Sequence, residues 1–335
     1  VREVLEARRA ARGSVDFDLP EHQIQVDLEG VMTGVAIRPR NRAHRLIEGL
    51  MLLANETVAG RLEDRGSPCL YRIHELPDPT KIETLRAFAA KFGVNWDVDP
   101  DDVVPGDVQR LLQAVEGRPE YPIVAQVALR SMKQARYAVD NDGHFGLAAP
   151  VYAHFTSPIR RYPDLVVHRL ARASAGGRRD DPATDPLPEV AAACSTLERN
   201  AEAAERELVE WKKIAFMRDR VGEAVVGSVR GLAAFGWFVR LTESLVEGLL
   251  RVDRLGPAWF DFDEGRMELH ARAGGPSYTL GDRLRVRVDR DDAALRRVEL
   301  SLEETPAGGQ RRSERPARGG RGRKADRRGR RPPRR

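Results

Sequence analysis

The spacing of apolar residues changes at Gly222, and that change divides the chain. Upstream, from about Pro188 to Val221, Val190, Cys194, Leu197, Ala201, Ala204, Leu208, Trp211 and Ala215 recur at intervals of three and four. That period predicts one long amphipathic helix packed along a single stripe. Downstream, strand-like runs occupy Ala224–Val229, Trp237–Leu241, Gly248–Val252, Arg283–Asp289 and Arg297–Ser301, separated by Gly- and Asp-containing turns. Five short strands over some 80 residues suit a small β-barrel. The fold class expected is α+β: a body over 1–220 with long helices, then a five-stranded barrel over 221–304.

Within the body, Ala43–Leu62, Ile82–Phe92 and Gly106–Val115 read as further helices. Tyr121–Tyr137 reads as another, with a strand-like start. Gly176–Leu187 (GGRRDDPATDPL) reads as an exposed loop. Residues 305–335 are rich in Arg, Gly and Pro; such a segment cannot bury a core and is expected to be a disordered basic tail.

Charge sharpens the division. From Arg311 to Arg335 there are 13 Lys and Arg against 2 acidic residues, a net of +11, so the whole-chain value of +5 leaves −6 for the rest. The tail alone therefore seeks a polyanion through bulk charge. No run of about 18 apolar residues occurs, so no membrane span is expected. The two cysteines, Cys69 and Cys194, fit no metal-ligand spacing and read as reduced thiols of a cytoplasmic protein. The opening VREVLEARRA lacks an initiator Met and a signal pattern, which suggests a start inside a domain of a longer protein.

The most informative stretch is His154–Arg169, HFTSPIRRYPDLVVHR. Thr156 or Ser157 can cap a helix, and Pro158 suits its first position. Arg160 and Arg161 would then sit in the first turn, where the helix dipole disfavours cations, and Pro163 interrupts the pattern again. The two arginines are therefore expected on an irregular turn, in want of a negative ligand; a guanidinium fork fits a phosphate. The alternative is an ion-pair cluster such as Arg161 with Asp164.

HFTSPIRRYPDL closely resembles the arginine-bearing motif of the ribonuclease R / ribonuclease II (RNB) family of exoribonucleases. RGSVDFDLP, AHRLIEGLMLLANE, LRSMKQARY, GHFGLA and RNAEAAERE resemble other motifs of that family, in family order, over residues 12 to about 220. The resemblance implies the C-terminal portion of an RNB catalytic domain, which hydrolyses RNA from its 3′ end and releases nucleoside 5′-monophosphates by a two-metal mechanism. It implies that Arg160 binds the scissile phosphate and that Arg161 is a neighbouring phosphate contact. It implies that Phe17 stacks on the terminal base, and that Glu48 and Glu205 hold the terminal sugar or orient the arginines. Without the resemblance, Phe17 reads as core and the two glutamates as solvated helix faces, although Glu205 adjoins the apolar stripe.

The family's metal-binding aspartates and clamp tyrosine belong to a segment upstream of Val1. The implied Mg²⁺ would be bound mainly there, no metal ligand is assigned on this chain, and the chain alone is expected to be inactive. The run Asp97, Asp99, Asp101, Asp102 is a Pro-containing acidic loop where the family has no metal site.

VVGSVRGLAAFGWFVRL, VEGLLRVDRL and YTLGDRLRVRVDRDDAALRRVELSLEE resemble the OB-fold RNA-binding domain first recognised in a large ribosomal protein. Phe235 and Phe238 match its exposed aromatics, and Arg240 and Arg251 are expected to track phosphates. Strict alternation would put the two rings on opposite faces, so a turn or bulge at Gly236 is needed to unite them. The expected partners are single-stranded or structured RNA, with a ribosome or other RNA-decay factors reached through the tail, and a monomer is expected. The rival reading is a non-catalytic RNA-binding protein that uses the barrel and tail.

Overall fold

The chain is described from a computed structural model, over residues 1–17, 19, 21–38, 40–118, 120–178, 186–254, 260–263, 268–272, 277–292 and 297–304. The tail at 305–335 lies outside them, as does most of the loop expected at 176–187.

Helix α1 (Arg2–Arg12) ends at Gly13, whose φ of +84° closes the helix in the left-handed region. A Cβ there would lie 2.8 Å from the Cα of Gly106, so the missing side chain lets two backbone segments meet. Strands β1 (Glu21–Val26) and β2 (Met32–Arg38) then form an antiparallel hairpin that was not expected. Asp27 closes its turn by accepting from the Val31 amide at 2.7 Å.

Helix α2 (Arg42–Asp64) begins at Asn41, whose side chain accepts from the His44 amide at 3.0 Å. Strand β3 (Tyr71–Ile73) follows, then α3 (Pro79–Ala90), α4 (Pro105–Ala114) and α5 (Tyr121–Ser131), each opened by a proline in its first two positions. The strand-like part of Tyr121–Tyr137 lies at its end, not its start: β4 (Arg136–Ala138) pairs with β3. Helix α6 (Tyr162–Ala175) and the 31-residue α7 (Leu187–Met217) complete the body.

The stripe expected along α7 is not the packed face: of its eight positions Val190 is buried and Cys194 half-buried, and the other six are exposed. Val190, Ala191, Ser195, Ile214 and Met217 are buried, but every residue from Arg199 to Leu208 is exposed. Leu197, Leu208 and Trp211 lie on the open side. Helical spacing predicts that a face is apolar; it does not say that a neighbour covers it along its whole length.

All five expected barrel strands form, four extended at one end and β7 shifted by one residue: β5 (Ala224–Ala233), β6 (Gly236–Leu241), β7 (Glu247–Arg251), β11 (Arg283–Asp292) and β12 (Arg297–Glu304). They close in the order β11-β12-β7-β6-β5, antiparallel except for the parallel β12–β7 pair. Strand alternation turns Val229, Trp237, Val239, Leu250, Val286 and Leu300 inward. Between β7 and β11 an unexpected three-stranded sheet, β8 (Phe260–Asp263), β9 (Glu268–Ala271) and β10 (Ser277–Thr279), packs Tyr278 on Trp237 with ring centroids 4.4 Å apart.

Two hydrophobic clusters result. One gathers α2, β3, β4, α6 and the start of α7. The other runs without a break from α3–α5 through Ile214 and Met217 into the barrel, so apolar packing is continuous across residues 220 and 221.

Candidate functional site

The segment Tyr152–Arg161 is held almost atom by atom. Asn55, buried to 2% exposure in the middle of α2, accepts from the Phe155 and Thr156 amides at 3.0 and 3.2 Å and donates to the Tyr152 hydroxyl at 2.9 Å. Asp164 accepts from the Ser157 amide at 2.7 Å. His168 donates to the Phe155 carbonyl at 2.9 Å while stacking on that ring, with centroids 3.9 Å apart. Three successive amides are thus fixed by two buried side chains from two helices.

The arginines do lie on a turn, closed by Arg160 and Arg161 amides donating to the Ser157 carbonyl. The expected helix start is one turn too early, however. The helix begins at Tyr162 with Arg161 as N-cap, so Pro163 opens α6 rather than interrupting it, and neither Thr156 nor Ser157 caps it. The negative charge favoured at this helix end is Asp164, fully buried in the first turn. Arg161 binds it: Nη2 donates to Oδ1 at 2.8 Å, and Nε lies 2.8 Å from Oδ2 in ionic contact. Arg161 therefore adopts the ion-pair alternative. Arg160 and its neighbour Ile159 are exposed, and no hydrogen bond or ion pair to the Arg160 side chain occurs among the described residues.

The other candidates are dispersed. Glu48 takes Arg40 on both oxygens at 2.8 Å and Arg9 at 3.4 Å, and Arg40 also binds Asp16 at 2.9 Å. Glu48 thus orients Arg9 and Arg40. Glu205 stands on the exposed central stretch of α7, without a hydrogen bond or ion pair among the described residues. Phe17 is half-buried against the larger core.

Beneath the arginine loop lies an aromatic cluster that motif reading did not single out. His74 meets His144, His144 meets Tyr152, and Tyr152 meets His154, all edge to face. Tyr137 Oη lies 2.9 Å from His154 Nδ1, and Arg72 covers the Tyr137 ring. Burial, then the charges of His74 and Arg72, hold His144 down at about 3. Burial, then Arg161 and Arg72, do the same for His154, to about 3.

Both folded values lie below the ordinary 6.5, so the unfolded chain binds more protons between pH 6.5 and about 3. The stability this gives is fully present above pH 6.5 and is lost as pH falls through that window. The slope is up to about 1.4 kcal/mol per pH unit for each histidine. Urea unfolding at pH 7.5 and pH 5 measures it. His144→Gln combined with His154→Gln should flatten the dependence, and an unchanged slope would assign it to other groups.

On the barrel, the β5–β6 turn at Ala234 and Phe235 unites the two aromatics. Phe235 is 57% exposed and meets Phe238 edge to face at 6.1 Å. Gly236 opens β6, and a Cβ there would lie 2.4 Å from the Leu250 carbonyl, so the register of the turn requires glycine. Arg240 donates to Glu247 at 2.6 and 3.1 Å, and Arg251 donates to Asp253 at 2.8 Å. Both carry carboxylate partners that a phosphate would have to share.

The RNB domain family matches residues 1–175, more than half of the chain. The chain belongs to the RNB family. Among curated RNB relatives, Ribonuclease R of Aquifex aeolicus (strain VF5) is 42% identical over 302 residues, covering 89% of this chain and 43% of the relative. Ribonuclease R of Escherichia coli (strain K12) is 36% identical over 310 residues, covering 89% and 38%. Apo Mycoplasma genitalium RNase R superposes with a TM-score of 0.84 at 27% identity, covering 90% of this chain and 48% of that one; its complex with ribose-methylated single-stranded RNA matches equally well. The chain thus spans roughly two fifths of the length of these curated RNB relatives.

RNB-family ribonucleases are generally metal-dependent. The described residues do not fit a metal centre by themselves: no three His, Cys, Asp or Glu side chains among them converge on a common point. Asp97, Asp99, Asp101 and Asp102 lie exposed along their loop, and Cys69 and Cys194 are free thiols. No described helix is long and apolar enough to cross a membrane. The positioning groups Asn55 and Asp164 had a sequence signal, a polar residue inside the apolar pattern of a helix. Their targets, amides 100 residues away along the chain for Asn55 and 7 for Asp164, had none.

Proposed function

We propose that the whole protein is a 3′→5′ exoribonuclease that hydrolyses RNA to nucleoside 5′-monophosphates, with Arg160 as its phosphate-binding cation. One observation supports this above the others: a backbone fixed by buried atoms displays the Arg160 guanidinium, which has no hydrogen-bond or ion-pair partner among the described residues. Such a group is preorganised for an anion, since a phosphate can take its fork bidentately. As water adds to phosphorus, negative charge grows on the non-bridging oxygens, and Arg160 stabilises it without having to move. The 3′-oxygen of the penultimate nucleotide then leaves and takes up a proton. Arg161, anchored on Asp164, sets the turn and leaves Nη1 for a second phosphate oxygen. Phe17 stacks on the terminal base, Glu205 takes the terminal sugar, and Glu48 aligns Arg9 and Arg40 along the approach.

Mg²⁺, when bound, supplies charge neutralisation and an acidified water; its ligands belong mainly to a segment preceding Val1. The barrel holds single-stranded RNA on Phe235 and Phe238, and the tail adds salt-sensitive affinity for structured RNA, a ribosome or other decay factors. The setting is cytoplasmic and the protein a monomer. The relative solved with single-stranded RNA supports the substrate class.

The test supplies the whole protein with 5′-labelled single-stranded RNA and Mg²⁺. The label should shorten from the 3′ end as nucleoside 5′-monophosphates accumulate, while the chain alone binds the RNA without cutting it. Binding by the whole protein with no monophosphate released would establish the non-catalytic alternative.

A further inference from the structure

Strand β5 carries one irregularity. Val229 pairs with Val239 and Gly231 with Phe238, which leaves Arg230 as an extra residue opposite β6. A bulge is a usual means of re-aiming one side chain. Arg230 is half-buried, and its Nε is shut from solvent without a hydrogen-bond partner. No ion pair to it occurs among the described residues. The charges acting on it are Arg240, which repels it, and Glu247, which attracts it. Glu247 is already engaged, because Arg240 donates both Nε and Nη2 to its Oε1. Burial first, and Arg240 second, pull the Arg230 guanidinium below its ordinary pKa. A half-buried cation with an unused donor and a like-charged neighbour is costly, and an anion between the two guanidiniums relieves both costs.

The surroundings say which anion. The Phe238 ring lies against Gly231, the next residue of the bulge, and Phe235 stands edge-on to it. Arg240 also borders a cleft of about 150 Å³ shared with Ile24 and Val35 of the hairpin and Val209 and Lys213 of α7. Arg240 thus stands at the seam between barrel and body. An acidic peptide would meet the charges but leave the two rings unused, whereas a nucleic-acid strand offers both a phosphate and a base.

We propose that Arg230 and Arg240 form a phosphodiester-binding site on the barrel, in which one phosphate of single-stranded RNA sits between the guanidiniums and an adjacent base stacks on Phe238 and Phe235. The inference rests on the barrel's reading as an RNA-binding fold.

The test uses the full chain and an oligoadenylate of about ten nucleotides, within the span an OB barrel covers, titrated at several salt concentrations. Arg230→Gln should lower affinity on the order of tenfold at low salt and reduce the log–log salt slope by about 0.7. Arg230→Lys should keep the slope and recover part of the affinity. Phe235→Ala with Phe238→Ala should lower affinity with the slope unchanged, because stacking carries no charge. The melting temperature of RNA-free Arg230→Gln should hold or rise, since an uncompensated charge is removed; a structural role predicts a fall. Should Arg230→Gln fail to fold, a wild-type affinity in Arg230→Lys would deny the fork any part in binding and overturn the site. Wild-type affinity and slope in folded Arg230→Gln would overturn it directly. Failure of the unaltered chain to bind RNA at all would instead remove the reading on which the site rests.

Discussion

Arg160→Ala should lower the single-turnover rate of RNA hydrolysis by the whole protein about 10²–10³-fold, the usual cost of losing one preorganised stabiliser of transition-state charge. RNA affinity should change little, because the proposed RNA contacts are spread over many other residues. Stability should change within about 0.5 kcal/mol, as expected for an exposed side chain without a hydrogen-bond or ion-pair partner among the described residues. Arg160→Lys keeps the charge but not the planar fork, so its rate should fall between the two. Rapid-quench measurements at saturating enzyme separate chemistry from binding. A near-normal rate in Arg160→Ala would remove Arg160 from the chemistry.

Asp164→Asn should destabilise the chain by about 3 kcal/mol. The carboxylate is fully buried, answers the Arg161 guanidinium and also holds the Ser157 amide. Removing one partner of a buried pair leaves the other charge uncompensated, at about 3–5 kcal/mol; Arg161 keeps some exposure, which places the effect at the lower end. The amide of asparagine still offers an oxygen to Ser157, so the loss reports chiefly the ion pair. Equilibrium urea unfolding gives the value. Adding Arg161→Met should recover part of it, since the two sites are directly coupled. A loss under 1 kcal/mol would mean that the turn does not depend on this pair. In the whole protein Asp164→Asn should also slow hydrolysis, because the turn that displays Arg160 loses its anchor.

How much was legible in advance varies by element. The helices α2, α3, α4 and α7 and all five barrel strands were readable because each repeats one local rule over many residues: a period near 3.6, or an alternation of two. The β1–β2 hairpin and the β8–β10 sheet were missed. The strands of the sheet are only three or four residues long, and the hairpin exposes apolar residues such as Val26, Val31 and Ile37 that blur the alternation. The start of α6 was misplaced because Pro158 and Pro163 both suit an early helical position, and the choice between them depended on a contact, Asp164 to Ser157, rather than on a propensity.

The sequence by itself determined the class of fold, the change of architecture at Gly222 and the family. It also marked Arg160, Arg161, Phe235 and Phe238 as candidate functional residues. Only the tertiary structure decided which of the two adjacent arginines lacks a partner among the described residues, since that turns on a buried carboxylate claiming Arg161. It alone showed that Glu48 serves Arg9 and Arg40, that six of the eight α7 stripe positions are exposed, and that Arg230 has no ion-pair partner among the described residues. The physical reason is the range of the interactions. Periodicity is set by neighbours three or four residues apart, whereas the pairing of a charge depends on which side chain arrives from a distant segment, and one sequence carries no record of that distance.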